Sequence, residues 1–212
     1  ASLQTPEAGF EHQVEGGLQP EWRTPDELTP LSEHMRPLLP RMPNSLLRDL
    51  YSERNPVEFR PVEFYPPWDE QPRPPRYAMW FRVRGDLPDD PSLHARLLTY
   101  LSDWWLLEAA IRPHEGAALW SREMRISSLS HSLAIHQPYR AGEWHCHVMH
   151  SPAASGARGF ALGQVWSERG VLVASTAQEG LMRHSRHAAA YAPSDGAPSR
   201  ESQSGKDYSF DS

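Results

Sequence analysis

Apolar residues recur at three- and four-residue steps through Leu93, Leu97, Tyr100, Leu101, Trp104 and Leu107, so 93–114 reads as a helix with one broad apolar face. Asp90 followed by Pro91 supplies an N-cap and a first-turn proline, and Pro113 supplies the stop. The middle of this helix (Leu101, Trp104, Trp105, Leu106, Leu107) is apolar on most of its circumference, yet Asp103 lies within it. Burying a bare charge costs several kilocalories per mole, so this carboxylate needs partners or a proton. It is either an aspartate at the helix edge or a working carboxylate in a lined cleft.

Elsewhere the pattern is one of alternation. Residues 57–65 alternate Val57, Phe59, then Val62, Phe64 around Pro61, the mark of an edge strand or a bulge. Residues 66–75 form a proline-rich loop, and 77–84 read as a strand. Three longer strand segments follow at 124–137, 143–151 and 158–183, the last folded into a hairpin at Glu168-Arg169-Gly170. Residues 15–55, rich in Pro, Glu and Arg, read as a linker laid over a surface, with one amphipathic helix at 45–51. Residues 188–212, rich in Ser, Pro and Gly, are expected to be a disordered tail. The fold class implied is α+β: an antiparallel sheet wrapped around one long helix.

Composition narrows the function classes. The net charge of −6 comes without a basic face, which argues against general nucleic-acid binding. The single cysteine, Cys146, excludes an internal disulfide and fits a reducing compartment. No apolar run reaches membrane-spanning length, and the C-terminal Phe210-Asp211-Ser212 is not the peroxisomal tripeptide. The expectation is a cytoplasmic protein without a membrane span, with import to peroxisomes by another signal left open. His145 and His147 point to one face of a strand with His150 nearby, but a zinc site needs further converging ligands, and no metal is expected. Cys146 faces the other way and reads as a buried inert thiol, while His184 and His187 read as solvated and His131 as structural.

Two stretches resemble a known family: HSLAIHQPYRAGEW (131–144) and SPAASGARGFALGQVWSERGVLVASTAQEGLMR (151–183) are similar to the acyl-CoA thioesterase II enzymes. FRPVEF (59–64) and the segment from LPDD to YLSDWWLL (87–107) match in the same order, and the opening ASLQTPEAGFEHQ resembles the last strand of a preceding repeat. Members of that family hydrolyse fatty acyl-CoA thioesters and carry two hotdog domains in tandem. The resemblance implies a remnant of a first hotdog at 1–14, a linker at 15–55, and a hotdog domain at 56–187, in a fragment lacking most of the first repeat.

It also implies a site in which a carboxylate, a hydroxyl and a glutamine hold a water. Position by position these are Asp103, Ser128 in ISSLSH, and Gln178 in STAQEG, with Ser127 as a substitute for Ser128. Asp103 would be the base, with Trp104 lining the acyl channel. Arg158 would either meet the CoA phosphates or form a structural salt bridge. No cofactor is implied. The partners implied are the fatty acyl-CoA substrate and a second copy of the chain, paired hotdog to hotdog. The alternatives are a non-catalytic acyl-CoA-binding or interaction module, and a hotdog hydratase, for which no suitably placed histidine is seen.

Overall fold

The computed structural model describes residues 12–14, 18, 23–42 and 45–185, apart from the side chain of Leu46. The expected tail at 188–212, His187 and most of the expected strand remnant at 1–14 lie outside these residues. Within the remnant, residues 12–14 are not in a strand. Instead the Gln13 side chain imitates a strand partner, donating to Gly170 O at 3.1 Å and accepting from Leu172 N at 3.1 Å.

Six strands form one antiparallel sheet: β1 (Val57–Pro61), β2 (Arg76–Val83), β3 (Met124–Ile135), β4 (His145–Ser155), β5 (Arg158–Ser167) and β6 (Leu172–His184). Their spatial order is β1-β2-β4-β5-β6-β3. Both β-rich halves of the sequence thus enter one sheet, and the hairpin expected at Glu168-Arg169-Gly170 joins β5 to β6, with Gly170 at φ 76°. The left-handed backbone there suits glycine, which has no Cβ to clash.

Among the described residues four short α-helices accompany the sheet: α1 (Leu31–Met35), α2 (Ser45–Leu50), α3 (Pro91–Leu101) and α4 (Glu108–Ile111). The N-cap of α3 is as expected: the Asp90 carboxylate accepts from Ser92 N at 2.9 Å. The long helix is not continuous. Residues 102–107 form turns, and Trp105 takes φ 66°. Successive residues of a straight helix point about 100° apart, but Trp104 and Trp105 both pack on Phe59, with ring centroids at 5.3 and 6.0 Å. Seating two adjacent indoles on one ring is what the left-handed residue achieves.

The core lies between the sheet and the broken helix. Leu98, Leu101, Leu106 and Ala109 meet Phe59, Met79, Met149, Val165 and Ala174, all buried. The linker does more than cover a surface, because Leu31, Met35, Met42 and Tyr51 enter the same core. Its approach is fixed by Arg60, which donates to Pro25 O at 2.6 Å and to Glu58 at 2.7 Å.

The sheet's glycines set how close the helix layer comes. A Cβ on Gly180 would lie 2.3 Å from Leu107 Cδ1, and one on Gly159 would lie 2.8 Å from Ala110 Cβ. These bare positions let residues 107–110 settle on β5 and β6, which brings the interrupted turn, with Asp103, over the middle of β6 at Gln178.

Candidate active site

Asp103, Ser128 and Gln178 meet where that turn crosses β6 and β3. Gln178 Nε2 donates to Asp103 Oδ1 at 2.6 Å and to Ser128 Oγ at 2.7 Å, and Ser128 Oγ donates to Asp103 Oδ1 at 3.4 Å. Gln178 is 1% exposed, whereas Asp103 and Ser128 are exposed. The carboxylate is therefore exposed, as in the helix-edge reading of Asp103. It stands at the surface, with the buried glutamine amide beneath it.

A bulge makes this possible. Strict alternation would put Ser128 and His131 on opposite faces of β3. The register with β6 slips between Ser128 and Ser130, so that Ser128 faces Gly180 and His131 faces Gln178. The extra residue, Leu129, turns both polar side chains to the side that carries Gln178. Ser127, which pairs with Leu181, falls on the other side. Ser128, rather than the substitute Ser127, is the hydroxyl brought to Asp103.

Two further residues join this network: Ser102, which the sequence reading missed, and His131, which it took as structural. His131 Nδ1 lies 3.2 Å from Gln178 Oε1, and His131 Nε2 lies 2.9 Å from Oγ of the fully buried Ser102. The signals were the adjacency of Ser102 to Asp103 and the histidine three residues after Ser128, but neither is interpretable without the bulge. Further along the sheet, His147 Nε2 lies 3.1 Å from Thr176 Oγ1. Burial, with His131 nearby, pushes the His147 imidazole down to about 3.

Asp103 also lines a cleft of about 570 Å³ bounded by Leu47, Tyr51, Tyr100, Trp104, Trp105 and Trp120. Its wall is mostly aromatic and aliphatic, as a site for an apolar chain requires. One open cleft and one hydrogen-bonded carboxylate thus share a residue.

A family model described as acyl-CoA thioesterase C-terminal domain matches residues 25–182. The chain belongs to the acyl-CoA thioesterase family. It is 35% identical over 185 residues to acyl-CoA thioesterase 2 of Haemophilus influenzae, a match covering 87% of this chain and 63% of that protein. It is 34% identical over 167 residues to human acyl-coenzyme A thioesterase 8, covering 75% of this chain and 51% of the relative. The chain thus spans less than two thirds of the length of these relatives. Among solved structures, acyl-CoA thioesterase II TesB2 from Mycobacterium marinum matches with a TM-score of 0.61 at 30% identity, covering 85% of this chain and 60% of that one. A hot dog fold protein from Alicyclobacillus acidocaldarius matches with a TM-score of 0.57 at 17% identity, covering 84% and 58%. The fold is the hotdog, as expected, with its helix interrupted at the turn that carries Asp103.

Other residues of this thioesterase-family chain fall outside the cluster. Arg158 lies on the far face of the sheet from Gln178, pairing with Glu179 at 3.0 Å, the salt bridge that was the alternative to a phosphate contact. His184 is not simply solvated, since its Nε2 meets Gly116 O at 2.9 Å. His145 and His147 do share a face and are buried, but they bond to Glu143 O and Thr176 rather than converging. Cys146 is buried on the opposite face, where desolvation pushes its thiol up. Among the described residues no helix is long and apolar enough to cross a membrane.

Proposed function

We propose that the chain hydrolyses fatty acyl-CoA thioesters to fatty acid and CoA at the Asp103–Ser128–Gln178 cluster. The observation that carries this reading is the single Gln178 amide group bonded to both Asp103 and Ser128. A thioester carbonyl is reactive enough for water, provided the water is aligned and its proton has an acceptor. Gln178 fixes Asp103 and Ser128, and these two hold the water, the carboxylate taking its proton as the oxygen attacks the carbonyl carbon. The tetrahedral intermediate then collapses with cleavage of the C–S bond. The proton on Asp103 passes to the departing sulfur, so the products are the fatty acid and the CoA thiol. The acyl chain lies in the cleft beside Trp104.

Asp103 and Ser128 are exposed in a single chain, whereas hydrolytic electrostatics are strongest with bulk water excluded. In this reading a second hotdog unit, supplied by another copy, covers them. The same exposure favours the second reading: a module that binds acyl-CoA without turning it over.

Release of thiol from palmitoyl-CoA, measured for the chain and its Asp103→Asn variant, tests both readings. Turnover that disappears in the variant supports hydrolysis. Equal rates overturn the role of Asp103, and saturable binding without thiol release favours the second reading.

A further inference from the structure

We propose that His131, anchored by Ser102, is a positioning residue that fixes which way the Gln178 amide points. The inference rests on the hydrolytic reading above for its kinetic consequence, but not for its structural content. An amide can sit in its socket in two orientations, and only one presents the NH2 group to Asp103 and Ser128. Reversed, Gln178 would turn its carbonyl oxygen toward the carboxylate, leaving two acceptors face to face. The carboxylate itself favours the productive orientation, and a donor on the far side of the amide, facing its oxygen, would reinforce it.

His131 is placed to do so. Its Nδ1 is 3.2 Å from Gln178 Oε1, an atom that can only accept, so Nδ1 must carry a proton. At the other end of the ring, Nε2 is 2.9 Å from Ser102 Oγ, and Ser102 Oγ is also 3.0 Å from Thr99 O. The hydroxyl has one proton to give. Given to Nε2, it leaves a neutral ring protonated on Nδ1. Given to Thr99, it requires protons on both ring nitrogens. In either case Nδ1 is a donor to Gln178.

Ser102 is suited to holding the ring because it does not move independently of the reacting carboxylate. It is fully buried, it is the C-cap of α3, and it directly precedes Asp103. The same turn thus supplies the carboxylate and, through His131, aims the amide that binds it. The bulge at Leu129 completes the circuit by bringing His131 to the Gln178 side of β3.

The test has a spectroscopic arm and a kinetic arm. Long-range 1H–15N correlation spectra of the uniformly labelled chain report the tautomer of each imidazole, and His131 is assigned by its loss in His131→Asn. A proton on Nδ1 is expected, and a ring protonated on Nε2 alone overturns the proposal. In thiol-release kinetics, His131→Ala should lower kcat by about 100-fold with KM little changed, the scale of loss for a misaligned site. His131→Asn, whose amide nitrogen replaces Nδ1, should restore most of kcat. His131→Gln, whose amide reaches toward Nε2, should not. Full activity in His131→Ala overturns the proposal, as do losses that follow thermal stability rather than the donor's position. A parent chain that hydrolyses no acyl-CoA defeats the hydrolytic reading instead, and the tautomer alone then decides whether His131 orients Gln178.

Discussion

Gln178 reaches Asp103 at 2.6 Å and Ser128 at 2.7 Å with one nitrogen, making the buried amide the hub of two exposed side chains. Substituting glutamate at this hub is therefore more informative than removing it. In Gln178→Glu two carboxylates would face each other, and like charges at such range share a proton. The pair's raised proton affinity exists only in the folded state. The variant is thus expected to be nearest to wild-type stability at low pH and to lose about 2–4 kcal/mol as pH rises past neutrality. Urea denaturation at pH 5 and pH 8 measures this, and equal losses at both would show that the two carboxylates do not meet. Thiol release by Gln178→Ala should fall about 100-fold.

Gly180 is the next point of control. It lies opposite Ser128 and two residues from Gln178, and a Cβ there would overlap Leu107 Cδ1 at 2.3 Å. Gly180→Ala should push Leu107, and with it the 102–107 turn, away from β6. The expected cost is about 1–3 kcal/mol, the usual range for overpacking, together with reduced turnover. Calorimetry should find a smaller loss when the same change is made in Leu107→Ala, because the clash is then gone. Additive losses would place the effect elsewhere.

How much of this was visible in the sequence follows from where the rules of periodicity hold. The strands alternate, so β3, β5 and β6 and the turn at Gly170 were legible within a few residues, as was the Asp90 cap. Asp103, Ser128 and Gln178 could be named because short segments around them match a family pattern. What escaped was each break of period. Trp105 at φ 66° interrupts a helix whose composition is continuous, and the slip at Leu129 reverses the faces beyond it. Both are tertiary effects: two indoles competing for Phe59, and a strand bent to present a serine and a histidine together. The two readings of Asp103, at a helix edge or in a lined cleft, stayed open for the same reason, because apolar neighbours in sequence imply burial only if the helix continues.

Glu108, the first residue of α4, gives the fold a pH dependence. Burial pushes its carboxyl up to about 7, with Arg112 opposing, and its Oε2 has no hydrogen-bond partner among the described residues. A folded value above the unfolded one means that the native state holds the extra proton between them. This contribution to stability is therefore fully present below about pH 4.5 and is lost as pH rises through about 7. His147 acts in the opposite sense: pushed down to about 3, it favours the fold above about pH 6.5 and loses that contribution as pH falls toward 3. Subtracting the Glu108→Gln profile from that of the parent isolates the first effect. The parent's advantage over the variant should shrink by a few kcal/mol from pH 4.5 to pH 8. A flat difference would mean that Glu108 is solvated.

Assembly would decide whether the proposed cluster faces bulk water or is shut away from it. Strand β3 runs twelve residues at the end of the sheet order, and among the described residues no strand pairs with its outer edge. Leu129 and Ile135 on this strand are 52% and 45% exposed, and Ser128, next to Leu129, is bonded to Asp103. A long, unprotected edge invites pairing with another strand. A second hotdog docked there would bury these apolar side chains and shut bulk water away from Asp103. The chain is therefore expected to have twice its single-chain mass by light scattering. The double variant Leu129→Asp, Ile135→Asp should be monomeric because it would set like charges from the two copies close together across the new interface. Its turnover should fall with dimer content, while Gln178 and Asp103 remain bonded within each copy. A parent chain that is monomeric yet fully active would show that one hotdog excludes enough water by itself, and the role assigned to the partner would then be wrong.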